Sequence, residues 1–537
     1  MKQKLVIYLP LLLAVVLIAG IFLGYKLSPM VAYSNLVKVN FDKYNKLNDV
    51  ISYIENEYVD SVSKKDITEE GIDGILNHLD PHSQYIPAEN FHDYNDPLVG
   101  KFEGIGIQFR IEKDTIVVIQ AIPGGPSEKV GLVAGDRIVT VRDSLIAGNG
   151  IDNNGAMRLL KGPRGTTVDV GIFRRGVDNL LDFEITRDII PTYSIDIAFM
   201  AKPGIGYIRL TRFSATTYDE FKEASEKLLK QGMQSLILDL RDNSGGYLQA
   251  AENLADEFLE DGKLIVFTEG FHQPRESTYA TKKGSLEKLP VVVMINENSA
   301  SASEILAGAL QDNDRGTIIG RRSFGKGLVQ RQLDFPDGSA IRLTIARYYT
   351  PTGRCIQRPY DPKEGFDDYY AESYHRYVNG ELTDKDSIPL NDSLKYVTPG
   401  GKVVYGGGGI MPDVFIPVES GEEYVYFNKI TRKALIFRYA FEYTDAHRKE
   451  LSVYKNFDDF DKHFQVSPVL FNEFIDYTEK NGIERNKEGL DFARNDMMVL
   501  LKAYIARNLY DNEGFYPLYL SIDNVYQKAI ELCENPT

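Results

Sequence analysis

PVVVMINENSASASEILAGALQD, Pro290 to Asp312, changes hydrophobic pattern midway. VVVMI is an unbroken apolar run, too short for a typical helix and without the alternation of a strand that has one wet face. It reads as a strand buried on both faces. From Ala302 the apolar residues Ala302, Ile305, Leu306 and Ala309 recur at spacings of three and four, the period of a helix. The same grammar repeats upstream: GIGYIRLTRFS as strand, TTYDEFKEASEKLLKQG as helix, SLILDLRD as strand and YLQAAENLADEFL as helix. Alternating strands and helices of this kind predict an α/β core around a sheet covered on both sides.

Between that strand and helix stand Ser299, Ser301 and Ser303, with no histidine nearby. A strand-to-helix turn presents a side chain at the carboxyl edge of the sheet, where the unpaired N–H groups of the helix start can hold an oxyanion. Ser301-x-x-Glu304 is equally a capping box, so this segment alone supports a helix cap as well as a nucleophile. A nucleophile needs a base, and the candidate is Lys326 in GRRSFGKGLVQ, because a buried lysine loses proton affinity and becomes a neutral amine. Gly320, Gly325 and Lys326 also fit the spacing of a phosphate loop. That motif requires Ser or Thr next and then a helix, whereas here Gly327 follows and LVQRQL alternates as a strand. In strand geometry Lys326 and Gln330 share a side, so the Gln330 amide oxygen can orient the amine. RDNSGG, Arg241 to Gly246, ends the strand LILDL; its glycines suit an oxyanion hole and an ordinary tight turn alike.

The 537 residues exceed one hydrophobic core, so several modules are expected. A formal charge of −16, without a basic run, argues against nucleic acid as a partner. Cys355 and Cys533 are far apart and the seven histidines are scattered, a pattern that suits neither a disulfide framework nor a metal site. Neither a metal nor a cofactor is expected. Leu5 to Gly24 is free of charge and mostly apolar, about the ~20 residues that cross a bilayer, and no convincing cleavage site precedes Lys26. Residues 1–30 are therefore expected to be an uncleaved inner-membrane anchor, with Lys2 and Lys4 in the cytoplasm and the bulk of the chain in the periplasm.

After the anchor, Leu47, Val50, Ile51, Ile54 and Tyr58 predict an amphipathic helix, and a second helix is expected over Thr68 to Leu79. These form a helical arm, residues 31–95. Short strands punctuated by Gly, Pro and Asp then mark a compact unit at 96–190. The α/β core follows at 191–418, interrupted by a Tyr-, Asp- and Lys-rich surface insertion at 359–396. Residues 419–537 read as a C-terminal helical domain of unknown purpose.

Eight motifs, in order, resemble the carboxy-terminal processing, or tail-specific, proteases: LDPHSQYI (Leu79–Ile86), FEGIGIQF (Phe102–Phe109), GGPSEKVGLVAGDRIVTV (Gly124–Val141), LDLRDNSGG, SASASEILAGALQD, SFGKGLVQ, YYTPTGR (Tyr348–Arg354) and YGGGGIMPD (Tyr405–Asp413). The likeness runs from about Asn35 to Pro417, omitting the insertion. It implies a crotonase-like protease core with Ser301 as nucleophile, Lys326 as base and Gln330 steadying it, with Asp312 as an auxiliary. The implied oxyanion donors are the N–H groups of Gly245 and Ala302. The unit at 96–190 resembles a PDZ domain, whose Gly104, Ile105, Gly106 and Ile107 would receive the carboxylate of a substrate tail. The resemblance implies a serine endopeptidase acting on exposed C-terminal tails, as a homodimer or larger ring and open to a regulatory adaptor. The alternative is a catalytically silent PDZ scaffold, in which Ser301, Lys326 and Gln330 would have no reason to occur together.

Overall fold

The computed structural model describes residues 46–535, together with Ala14 and residues 16–18. The expected anchor, residues 1–30, thus lies almost wholly outside the described residues; among the described residues no helix is long and apolar enough to cross a membrane. Two compact units divide the chain between Ile72 and Asp73. In the first, a helix forms over Lys46–Glu57, on the expected apolar spacing. The next helix spans Lys64–Leu76 rather than starting at Thr68. Ser63 explains the earlier start: its hydroxyl accepts the Asp66 N–H at 3.3 Å, as a helix cap does.

Within the second unit, residues 101–191 build a small β domain with its own core of Ile116, Val118, Ile138, Val170 and Ile185. Five strands lie in the order Ile107–Ile111, Ile116–Ala121, Arg137–Val141, Thr167–Phe173 and Leu181–Thr186. Its entering and leaving strands, Lys101–Gly104 and Asp188–Pro191, pair with each other, which ties the two ends together as an inserted module requires. Helix Asn153–Leu160 is capped by Asp152, whose carboxylate accepts the Gly155 N–H at 2.7 Å.

The core contains β1 (Ile195–Lys202), β2 (Ile205–Leu210), α1 (Thr217–Lys230), β3 (Ser235–Asp239), α2 (Leu248–Asp256), β4 (Leu264–Gly270), β5 (Gln273–Tyr279), β6 (Val291–Ile295), α3 (Ala302–Asp312), β7 (Thr317–Gly320), β8 (Leu328–Asp334), β9 (Ala340–Tyr349) and β10 (Val414–Phe415). The central sheet runs β1-β2-β3-β6-β7-β10, parallel from β2 onward. Every residue of β3 and β6 is buried. The alternation inside those apolar runs sorts the two faces. Leu236, Leu238, Val291 and Val293 face Phe221, Leu254 and Leu306 of the three helices. Ile237, Val292 and Met294 face Phe515, Tyr526 and Ile530 of the C-terminal extension. The extension whose purpose the sequence leaves open therefore covers the second face of the sheet. Its remaining helices pack around Phe460, Phe471, Phe474 and Leu501.

A second sheet lies in the order Gln84–Ile86, β9, β4, β5, with β8 paired to β9. The insertion holds helix Asp367–Val378. It is less superficial than its composition predicts, since Tyr369 and Arg376 are buried. Arg376 donates to the carbonyls of Ser323 and Phe324, at 2.8 and 3.2 Å, and so grips the loop that leads to Lys326.

Candidate active site

Ser301 is the N-cap of α3 and takes φ 55° and ψ −114°. A side-chain-bearing residue holds such angles only where its surroundings over-determine them. Its neighbours supply that constraint. Ser299 is fully buried and donates to the Leu240 carbonyl at 2.8 Å, while Ser303, also buried, donates to the Asn243 carbonyl at 2.9 Å. Those two hydroxyls brace the turn against the RDNSGG loop. Ser301 instead lines a cleft of about 840 Å³, together with Gly245, Lys326, Gln330, Arg342 and Tyr348.

Glu304 joins the serine's turn to the lysine's loop. It is fully buried and collects four hydrogen bonds: from the N–H groups of Ser301 (2.8 Å), Gly325 (2.7 Å) and Lys326 (2.9 Å) and from the Ser323 hydroxyl (2.5 Å). Burial pushes its pKa up to about 7 against the pull of those donors. The Glu304 N–H is also met by the Ser301 carbonyl at 2.9 Å.

Lys326 precedes β8, which begins only at Leu328, and a register shift falls between Val329 and Gln330. The simple alternation expected for Lys326 and Gln330 is thus corrected by a bulge, yet their side chains meet: Lys326 Nζ donates to Gln330 Oε1 at 3.1 Å. Gln330 is fixed in turn by donating to the His82 carbonyl at 2.5 Å. The pKa of Lys326 is lowered, first by burial and then by the Arg342 guanidinium. Burial and the nearby Lys326 push His82 down to about 3, so it stays neutral, and its ring shares a 2.6 Å hydrogen bond with the Tyr369 hydroxyl. The Tyr348 hydroxyl lies between the carbonyls of Ser301 and Lys326. Two glycine loops meet next to Lys326. A side chain on Gly325 (φ 91°) or Gly409 (φ 89°) would meet backbone of the opposite loop within about 3 Å.

The RDNSGG loop abuts the serine. A Cβ on Gly245 would stand 2.7 Å from Ser301 Cβ and 2.9 Å from the Ala302 nitrogen, and its φ of 97° favours glycine as well. The Gly245 N–H donates to Asn243 Oδ1 at 2.9 Å in this conformation. Asp312 stands apart from this cluster and does not line the cleft. It ends α3, about 16 Å along the axis from Ser301 at 1.5 Å per residue. Its carboxylate takes Arg354 at 2.7 Å, both side chains fully buried, and the Thr352 hydroxyl at 2.7 Å. Asp312, implied as an auxiliary, is thus placed on the YYTPTGR segment and not against Ser301 or Lys326.

In the β domain, Gly104 to Ile107 border a second cavity of about 450 Å³ with Phe109 and Leu160. The carbonyls of Ile105 and Gly106 already accept the N–H groups of Ser127 (3.0 Å) and Ile122 (2.9 Å). Strand Ile107–Ile111 is an edge strand of its sheet.

Residues 204–363, which contain the serine, the lysine and the RDNSGG loop, match the model of peptidase family S41. The carboxy-terminal-processing protease of Bartonella bacilliformis is 38% identical over 347 residues, covering 63% of this chain and 79% of that protein. The chain belongs to the carboxy-terminal processing proteases. It is a serine-type peptidase. The carboxy-terminal processing protease CtpA of Bacillus subtilis is 32% identical over 396 residues, 74% of this chain and 81% of that protein. Among solved structures, a photosystem II D1 C-terminal processing protease is 27% identical, with a TM-score of 0.36, covering 70% of this chain and 87% of that one. Residues 426–511, within the C-terminal extension of this carboxy-terminal processing protease, match a separate family of unknown function, DUF8443. Glu304, His82 and Tyr348 are the site residues that sequence reasoning missed in these roles. Glu304 was visible only as a capping-box residue, and His82 only within the LDPHSQYI motif.

Proposed function

We propose that this peptidase cleaves proteins through a Ser301–Lys326 dyad and selects them by their C-terminal tails. The observation that carries the dyad is the shared cleft. Ser301 and Lys326 both line it, Lys326 is buried with a lowered pKa, and no histidine is among the lining residues. In this reading the neutral Lys326 amine takes the Ser301 hydroxyl proton as Oγ attacks the scissile carbonyl carbon. The resulting ammonium then protonates the departing amine nitrogen. Water hydrolyses the acyl-enzyme by the same proton path in reverse. Ala302 N–H and Gly245 N–H receive the developing oxyanion. At Gly245 the oxyanion must displace Asn243 Oδ1, and a charged oxygen is the stronger acceptor.

The tail adds as a strand along Ile107–Ile111 and its carboxylate meets the Gly104–Ile107 loop, a mode that the edge strand and the adjoining cavity support. The apolar run Leu5 to Gly24 supports catalysis outside the cytoplasm, on the far side of an inner-membrane anchor. Cleavage of an unstructured protein with a free C-terminus tests the dyad. Ser301→Ala should lose orders of magnitude in rate while staying folded. Ser303→Ala, losing its bond to the Asn243 carbonyl, and Ser299→Ala, losing its bonds to the Leu240 carbonyl and from the Asn296 N–H, give up stability at ~1 kcal/mol per bond but should keep most of the activity. Cleavage at the normal rate by Ser301→Ala would sink the reading.

A further inference from the structure

The loop that touches Ser301 is held from behind by the C-terminal extension. Arg241, the first residue of RDNSGG, is buried. Its guanidinium donates through Nε and Nη2 to Asp239, at 3.0 and 2.8 Å, and through Nη1 to Asp523 at 2.7 Å. Asp239 ends β3, and Asp523 begins the last helix, Asn524–Glu534, whose first turn it caps by accepting the Tyr526 N–H at 2.9 Å. One arginine thus clamps the strand end to the extension. Two residues later, Asn243 takes the Ala300 N–H (2.9 Å) and the Ser303 hydroxyl (2.9 Å), and then comes Gly245 against Ser301. Only Asp242, Asn243 and Ser244 separate Arg241 from Gly245.

Asp523 gives Arg241 a carboxylate of its own, since Asp239 is shared with Arg209, which also lies 3.6 Å from Asp242 and 4.0 Å from Asp196. Asp239 also accepts from Arg209 at 3.0 Å and from the Tyr207 hydroxyl at 2.7 Å, so a single buried carboxylate serves two guanidinium groups. Without Asp523, Arg241 turns wholly toward Asp239 in competition with Arg209, and the loop loses the contact that fixes its tilt. A buried charge left unpaired drives such rearrangement because it must find a new partner or reach water.

We propose that Asp523 is a positioning residue for peptide-bond cleavage, acting through Arg241 to hold Gly245 at the Ser301 turn; the proposal rests on Ser301 as nucleophile with Gly245 and Ala302 as oxyanion donors. The extension then serves catalysis, because its last helix braces the oxyanion loop.

The test uses the full chain, a tail-bearing substrate, and a peptide boronate whose tetrahedral adduct on a serine mimics the attacked carbonyl. Asp523→Asn keeps an oxygen for the helix cap but removes the charge. It should lower kcat and boronate affinity by roughly 100-fold, the scale of a small misplacement, while leaving KM and the circular dichroism spectrum unchanged. Glu534→Gln is the control: it breaks a surface pair with Lys202 (2.7 Å) elsewhere on the same helix and should change neither quantity. A kcat within about twofold of wild type for folded Asp523→Asn, or an equal loss in Glu534→Gln, would overturn the proposal. Should Asp523→Asn fail to fold, Arg241→Lys decides, because it keeps the charge but not the fork. The same kcat loss at constant KM supports the clamp, and wild-type kcat overturns it. Ser301→Ala must lose boronate binding. If it does not, the nucleophile assignment has failed and takes this proposal with it, an outcome distinct from failure of Asp523 alone.

Discussion

Glu304 is where the two readings of Ser301 meet. As an ordinary capping-box partner it would be worth about 1 kcal/mol to the helix. Its four donors come instead from both sides of the cleft, on the serine's turn and on the lysine's loop. Glu304→Gln preserves the shape but replaces one acceptor oxygen by a donor NH2, which faces two donors in either orientation. Each buried donor left unmet costs about 1–3 kcal/mol, so this variant should lose more stability than a cap and lose activity with it. A Gln variant with wild-type turnover and a loss near 1 kcal/mol in urea titration would show that Glu304 only caps the helix. The Ser301–Glu304 spacing was legible in the sequence. The other three of its four donors were not, because Ser323, Gly325 and Lys326 reach it across a gap of about twenty residues that no local pattern spans.

At the scale of elements, the strand-to-helix grammar predicted β3, β6 and α3 because burial on both faces leaves an unmistakable apolar run. The same reasoning failed between Lys326 and Gln330, where a bulge replaces the regular alternation, since a bulge depends on the partner strand β9. Asp312 entered only through the family resemblance, and in the structure a helix of eleven residues carries it to a different neighbourhood from Ser301. Asp312→Asn distinguishes the two roles. It leaves the fully buried Arg354 guanidinium without its counter-charge, which costs roughly 3–5 kcal/mol, so thermal unfolding should shift down strongly. The fraction that remains folded should cleave at the wild-type rate. Unchanged stability with lost turnover would return Asp312 to the catalytic group.

Across the whole molecule, the sequence marks the small β domain as an insertion through its change of period, and the structure closes its ends through the pairing of Lys101–Gly104 with Asp188–Pro191. It did not reveal why the chain continues past residue 419. The answer is a packing debt: Ile237, Val292 and Met294 need a cover, and Phe515, Tyr526 and Ile530 provide it. Long-range partnership of this sort leaves each segment amphipathic without naming the face it meets. If tails bind along Ile107–Ile111, a peptide with a free carboxylate should bind the full chain more tightly than its C-terminal amide, because backbone N–H groups favour an anion. Equal affinities by calorimetry would remove the tail-reading role from this domain.

The most direct measurement of the dyad is turnover by Lys326→Arg, set beside wild type and Lys326→Ala across pH. A general base must spend time deprotonated, whereas a guanidinium in a protein stays charged. Burial and Arg342 lower the pKa of Lys326, so wild-type activity should rise with pH as the amine loses its proton and then level off. The dyad predicts that Lys326→Arg is folded and as inactive as Lys326→Ala at every pH. Near-wild-type turnover by Lys326→Arg at neutral pH would contradict it.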